Sequence, residues 1–313
     1  MENIFDITVV LPVYNGGEYL QLSIDSVLNQ QGVNIEFLIV DDCSTDGSWE
    51  YLQNIKDNRV ALFRNTFNRG LFYNLNFLIK KSNSNLIKLW SQDDLMNEGC
   101  LLSFVNFHSK LDTIGFSYSS CEKIDEYGNV KNTILKDNTP EIISKDLHAS
   151  ICYYTGSIAG NIANVCITKN ALDKVGLFNE SMKISADFDM WVKLAKYYNI
   201  GFINIPLVKI RDHNGQLSRQ EKFYVNHVEE DARVYNYLNS YISKDVQIKY
   251  NYYFVHYKLV FYFSLLIRSL VRVRFLQAFK IARIISRFTS LLTLVFIYVR
   301  IKLFRNVRKE FSI

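Results

Sequence analysis

At 313 residues, 49% hydrophobic and with only three prolines, the chain can bury a substantial core and is not a long disordered linker. Its net charge of +5 is unevenly placed: residues 249–313 hold 13 Lys and Arg against one acid, Glu310, while the first 248 residues hold 23 basic and 30 acidic groups. An acidic body with a basic end disfavours nucleic acid as a partner and points the end toward an anionic surface.

The five cysteines, Cys43, Cys100, Cys121, Cys152 and Cys166, are scattered without metal-ligand spacing, so reduced thiols in the cytoplasm are expected. The N-terminal apolar run is strand-length and lacks a preceding basic segment, so no export signal is expected.

Ile7 to Val13 is a near-continuous β-rich run, the pattern of a strand buried on both faces of a parallel sheet. Tyr14-Asn15-Gly16-Gly17 turns the chain, and Leu20, Ile24, Val27 and Leu28 then recur at helical spacing. A second strand, Ile35 to Val40, ends in Asp41-Asp42; the turn residues Ser44 to Ser48 precede a helix carrying Trp49, Leu52 and Ile55. A third strand, Val60 to Phe63, passes through Asn68-Arg69-Gly70 into a helix with Leu71, Leu75, Leu78 and Ile79 on one face. The fourth, Leu86 to Trp90, runs into Ser91-Gln92-Asp93-Asp94.

Four strand-helix alternations predict an α/β fold with a mostly parallel, doubly wound sheet. Right-handed crossovers bring the strands' carboxyl ends to one rim, so Tyr14, Asp42, Arg69 and Asp93-Asp94 are expected to face one crevice. Adjacent carboxylates raise each other's pKa, a penalty that a divalent cation relieves. Neither a G-x-G-x-x-G fingerprint nor a P-loop lysine pattern is present.

Beyond residue 96 the pattern is less regular. A helix near Glu98 to Lys110, a strand at Gly115 to Ser119 and a turn at Asp125 to Asn129 precede a small polar stretch, Thr155 to Asn161, which suits a substrate-facing loop. Lys169 to Gly176 reads as a short helix. Phe188, Trp191, Val192 and Ala195 define another, with Asp187 in its first turn as a cap or a functional acid. A strand at Ile200 to Ile205 and a polar turn at Arg211 to Gly215 follow.

In the basic end, Phe279, Ile281, Ile284, Ile285 and Phe288 are expected on one side of a helix and Lys280, Arg283 and Arg287 on the other. The apolar run Phe288 to Val299 is short of the about 20 residues a spanning helix needs. Amphipathic helices on an anionic membrane surface are therefore expected, the alternative being packing on the body or on a partner.

The ordered set Thr8 to Asn15, Val40 to Ser48, Asn68-Arg69-Gly70, Gln92-Asp93-Asp94 and Ala186 to Trp191 resembles the family 2 glycosyltransferases of GT-A fold, over about residues 5 to 218. The resemblance implies a GT-A domain at 1–218, a nucleotide-diphosphate sugar in the strand-end crevice, and a basic helical extension at 219–313. It implies further that Pro12 and Tyr14 flank the base and that Asp42 accepts its ring N–H. Asp93 would bind ribose or share the metal, Asp94 would ligate Mg²⁺ or Mn²⁺, and Asp187 would be the base of an inverting displacement. Arg69 is expected at the diphosphate or in a surface salt bridge, and His213 at the metal or diphosphate or simply exposed. The family usually shows Glu-Asp where this chain has Ala186-Asp187, so a neighbouring acid is missing from the motif.

The expected activity is metal-dependent transfer of a sugar to a lipid-linked saccharide in bacterial surface polysaccharide synthesis, at the cytoplasmic face of the inner membrane. Transfer to polyprenyl phosphate and a non-catalytic scaffold are the alternatives.

Overall fold

The structure, a computed structural model, describes residues 5–111, 113–133, 138–213 and 220–303. In chain order the elements are β1 (Ile7–Val13), α1 (Leu20–Leu28), β2 (Ile35–Asp41), α2 (Ser48–Gln53), β3 (Val60–Arg64), α3 (Leu71–Lys81), β4 (Leu86–Leu89) and β5 (Leu95–Met96). Next come α4 (Cys100–Ser109), β6 (Ile114–Ile124), β7 (Val130–Thr133), β8 (Ile142–Ile143), α5 (Lys145–Thr155), β9 (Val165–Thr168), α6 (Lys169–Val175), α7 (Ala186–Ala195) and β10 (Asn199–Arg211). The helices α8 (Tyr224–Asn239), α9 (Lys244–Tyr253), α10 (Val260–Val271), α11 (Phe275–Ile285) and α12 (Leu291–Leu303) complete the chain.

Two compact units share these elements. The first comprises Met1–Ile143, Ala159–Glu180 and Tyr197–His213; the second comprises Ser144–Ile158, Ser181–Lys196 and Asn214–Ile313. The units interleave along the chain, so they do not coincide with a cut at residue 218, which itself lies in 214–219, outside the described residues, as does the Asn214-Gly215 part of the expected turn.

The first unit contains the whole sheet, in the order β3-β2-β1-β4-β9-β6-β10-β5, with β7 on β6 and β8 on β10. Its first half, β3-β2-β1-β4, is parallel throughout and is the half that the strand-helix alternation lays out. Beyond β4 the sheet becomes mixed: β9 runs antiparallel to β4 and β6, while β6 and β10 pair in parallel. β9 has only four residues, too few to display a period. The core gathers Val9, Leu11, Phe37, Ile39, Trp90, Phe104 and Val208, all fully buried, each worth roughly 1.5–3 kcal/mol or more in transfer from water. The one polar atom of Trp90 is satisfied, since Nε1 donates to Ser23 Oγ at 2.9 Å.

The second unit is helical. Tyr153, Phe188, Tyr235 and Phe254 stack into an aromatic core, and the buried Tyr235 hydroxyl donates to the Cys152 carbonyl at 2.7 Å. α9 and α10 are joined by a π-helical stretch, Phe254–Leu259, into one helix, Lys244–Val271. Its 28 residues are long enough to cross a bilayer, but 44% of its apolar window is buried in the fold, and Tyr262 Oη donates to Asp231 at 2.5 Å, as in the core helix of a bundle. In α11, Ala278, Ile281, Ile284 and Ile285 are buried, whereas Phe279 is 65% exposed, opposite to the side expected for it.

Candidate functional site

In the first unit, β1 lies between β2 and β4 in parallel, so the residues after these strands meet at one end of the sheet. Asp42 N–H donates to the Val13 carbonyl at 2.7 Å, and Trp90 N–H to the Val10 carbonyl at 3.0 Å, carrying the pairing to the edge. There the backbone departs from ordinary conformations: Asn15 (φ 49°) and Cys43 (φ 64°) are left-handed without being glycine. Hydrogen bonds hold both turns. Asn15 N–H donates to Ser44 Oγ, Gly16 N–H to Ser48 Oγ, Gly17 N–H to Asp46 Oδ2, and Thr45 N–H to Asn15 Oδ1.

Pro12 is half-buried in β1, and Tyr14, 47% exposed, stands past its end. Tyr14 is tied to the acidic loop by two reciprocal bonds: its N–H donates to Gln92 Oε1 at 2.8 Å, and Gln92 Nε2 donates to its carbonyl at 3.1 Å. Asp42 is buried and accepts from Arg69 N–H at 2.7 Å, Gly70 N–H at 2.8 Å and Asn65 Nδ2 at 2.8 Å. A carboxylate has about four acceptor positions, so one remains for a ligand N–H. Gly70 reaches Asp42 at φ 88°, where a side chain would be strained. The Arg69 side chain is exposed and lies over the Tyr73 ring at 4.0 Å and the Phe67 ring at 4.9 Å. It makes no ion pair among the described residues.

The two acids after β4 face different surroundings. Asp93 is part-exposed and its Oδ2 meets His213 Nε2 at 2.8 Å; Ser91 Oγ donates to its Oδ1. Asp94 is buried, accepting from Arg211 N–H at 2.9 Å and from Asn161 Nδ2 at 3.2 Å. Burial first, and then the charge of Asp93, pushes Asp94 up to about 8. The Arg211 guanidinium, also buried, donates to the carbonyls of Asp93, Asp125 and Glu126 and lies over Tyr19 at 4.4 Å. Beneath the pair, fully buried Lys88 donates to the carbonyls of Ala163 and Leu89, and burial lowers its pKa.

Whether this set suits a divalent cation turns on its donors. No three His, Cys, Asp or Glu side chains gather at metal spacing among the described residues, so there is no closed protein cage. A pair of adjacent carboxylates, one held up to about 8 by burial and by the other's charge, is what a cation relieves, and Mg²⁺-type sites take one or two carboxylates with substrate phosphates completing the shell. The residues fit a cation of that shared kind.

Asp187 belongs to the second unit. It lies in the first turn of α7, and its Oδ1 accepts from Phe188 N–H at 2.7 Å. Part of its surface reaches solvent, yet burial, with the nearby charge of Asp231, pushes it up to about 6. Glu230 anchors the chain entering α7 by accepting from the N–H groups of Lys183, Ile184 and Ser185, each at 2.9 Å. Asp231 pairs with His227 at 3.4 Å. Burial pulls His227 down, but its Asp231 partner outweighs that and raises it. Thus α8 places a second carboxylate close enough to perturb Asp187, beside a motif with Ala186 in place of the usual acid. Asp189 instead pairs with Lys193.

Gln92, Asn161 and Arg211 lay in stretches that the sequence marked, a motif, a loop and a turn, but without roles of their own, and Lys88, Glu230, Asp231 and His227 were not legible at all. A lysine inside the apolar run Leu86 to Trp90 is one available signal, because a buried cation must find partners.

The sheet order and this acidic strand-end rim define the class: the fold is that of the GT-A nucleotide-sugar transferases. Residues 8–165 match the model of glycosyl transferase family 2, and the chain belongs to that family. An uncharacterized glycosyltransferase of Rickettsia felis is 30% identical over 226 residues, 72% of this chain; the match spans only 36% of that relative's length. The Escherichia coli UDP-Glc:alpha-D-GlcNAc-diphosphoundecaprenol beta-1,3-glucosyltransferase WfaP is 24% identical over 68% of this chain and 79% of its own. Among solved structures, Staphylococcus aureus TarS with UDP-GlcNAc superposes with a TM-score of 0.59 at 19% identity, covering 73% of this chain and 66% of that one. The Pyrobaculum calidifontis mannosyltransferase PcManGT, with GDP-Man and Mn²⁺, gives 0.56 at 14% identity, covering 96% and 88%.

Proposed function

We propose that the chain is an inverting, divalent-cation-dependent glycosyltransferase that moves a sugar from a nucleotide-diphosphate sugar to a hydroxyl of a lipid-linked saccharide in bacterial surface polysaccharide synthesis. The observation that carries this reading is the Asp93-Asp94 pair at the end of β4, strained by its own charge and held by Arg211 and His213. Family membership supports the reaction class, and the relative named for a diphosphoundecaprenol-linked acceptor supports the acceptor class.

In this mechanism Pro12 and Tyr14 flank the base, and Asp42 offers its remaining acceptor position to the ring N–H. Asp94 would ligate Mg²⁺ or Mn²⁺, Asp93 would share it or bind the ribose, His213 would contact the cation or the diphosphate, and Arg69 would reach the diphosphate. When bound, the cation neutralises charge on the departing diphosphate. Asp187 accepts the proton of the acceptor hydroxyl as that oxygen bonds to the anomeric carbon; the bond to the diphosphate breaks, and its electrons leave with the diphosphate. The basic helices place the protein peripherally on the cytoplasmic face of the inner membrane, next to such an acceptor.

A thermal-shift panel of nucleotide sugars with Mn²⁺ tests the donor assignment. Binding at 100 times the dissociation constant stabilises by about 2.7 kcal/mol, and a panel without any Mn²⁺-dependent shift would overturn it.

A further inference from the structure

A cavity of about 350 Å³ opens between α8 and α11 of the second unit. Arg233, Lys280, Arg283 and Arg287 line it, against a single acid, Glu229, with Asn236 as a further polar group. Glu229 is already taken by Arg233 at 2.8 Å. Lys280, Arg283 and Arg287 have no acidic partner among the described residues, so the groove holds three uncompensated cations. Like charges crowded in this way repel one another, and an anion seated among them removes the repulsion.

The rest of the exposed surface of α11 narrows the class of anion. Leu276, Lys280, Arg283 and Arg287 follow one another at i, i+4, i+7 and i+11, forming one stripe. Beside it, toward the amino end of the helix, Phe275, Leu276 and Phe279 are exposed at 65%, 70% and 65%. These apolar groups gain nothing by facing water, and the cations next to them cannot enter a core. A ligand with a multiply charged head and an apolar body satisfies both; a free anion satisfies only the cations. Guanidinium groups match phosphate oxygens with paired N–H donors.

We infer that the groove between α8 and α11 seats the phosphate head group of an anionic lipid, with Phe275, Leu276 and Phe279 in the acyl layer beside it. The inference rests on the reading of the C-terminal helices as membrane-facing and adds to it a defined head-group site. A defined site prefers a phosphomonoester, which offers more charge and free oxygens to three cations than a phosphodiester does. Diffuse attraction follows surface charge alone.

The test is co-sedimentation of the full chain with vesicles of phosphatidic acid or phosphatidylglycerol, blended with neutral lipid to equal surface potential. The wild type is expected to prefer phosphatidic acid by about tenfold. Lys280→Ala with Arg283→Ala, both exposed positions, is expected to bind the two vesicles equally. Arg300→Ala with Lys302→Ala, an equal charge loss on α12, is expected to weaken both and to keep the preference. Wild-type binding without preference, or a preference that survives in the groove variant, overturns the head-group site and leaves membrane association standing; failure to bind either vesicle overturns both readings. Inorganic phosphate bound without lipid as tightly as the vesicles would reassign the groove to a soluble anion and overturn the lipid assignment.

Discussion

Arg211, on the β10 strand that pairs with β5, closes on Asp94, its backbone N–H donating to Asp94 Oδ1 at 2.9 Å while its Nε donates to the Asp93 carbonyl at 3.0 Å. Main chain and side chain of one residue thus hold two consecutive acids of the strand-end loop. The guanidinium neutralises part of the charge that the acids concentrate, and its remaining N–H groups go to the Asp125 and Glu126 carbonyls. Arg211→Met preserves length and removes the donors, leaving buried carbonyls unpaired and two acids uncompensated. Urea unfolding should show a loss of about 1–3 kcal/mol, the cost of leaving buried acceptors without their donor. A loss below about 1 kcal/mol would mean that Arg211 is incidental.

Gln92 holds the Tyr14 backbone by both ends of its amide. In Gln92→Ala the proposed base platform should loosen while the proton-transfer residue stays untouched. At about 1 kcal/mol for each of two bonds, donor KM should rise about 5- to 30-fold, with kcat nearly unchanged. Steady-state kinetics with varied nucleotide sugar decides it; a fall in kcat alone would place Gln92 elsewhere in the mechanism.

His213 shares Asp93 Oδ2 at 2.8 Å, so in the proposed mechanism it is the lever on the cation. Chelation should abolish transfer and added Mn²⁺ should restore it. His213→Asn should then need about 10- to 100-fold more Mn²⁺ for half-maximal rate. An unchanged Mn²⁺ requirement would show that the imidazole only packs against Tyr19.

Asp187, held at about 6 chiefly by burial, can serve as the proposed base only when ionised. Transfer should fall about tenfold per pH unit below about 6, and Asp187→Asn should bind donor normally without transferring it. Stability changes in the opposite sense. The folded-state value exceeds the ordinary 3.8, so the folded protein takes up a proton between these values, and the ionised carboxylate costs stability above about 6. Asp187→Asn should therefore be more stable near neutral pH, on the order of 1–2 kcal/mol, with the gain vanishing toward pH 4. Melting curves across that range check the sign, and a variant less stable at pH 7 would contradict the burial assigned to this acid.

The elements that could be read without coordinates were those whose own residues carry the signal. The apolar runs of β1, β2 and β4 need burial on two faces, and a parallel arrangement with helices between provides it, so the parallel half of the sheet and the acids at its rim were legible. Short β9 and the two-residue β5 and β8 were not, because a pairing partner decides them.

The charge of the C-terminal stretch was plain from composition, but which face of α11 is buried was not. Phe279 and Ile281 are alike in hydropathy, and only packing put Ile281 inside and Phe279 outside. At the site, the sequence by itself singled out the four acids proposed for the chemistry: Asp42, Asp93, Asp94 and Asp187. Tertiary structure alone decided what each acid meets. Arg211 lies 117 positions from Asp94, and Asp231 lies on a helix that only folding brings near Asp187; electrostatic coupling depends on distance through space, which no local pattern encodes.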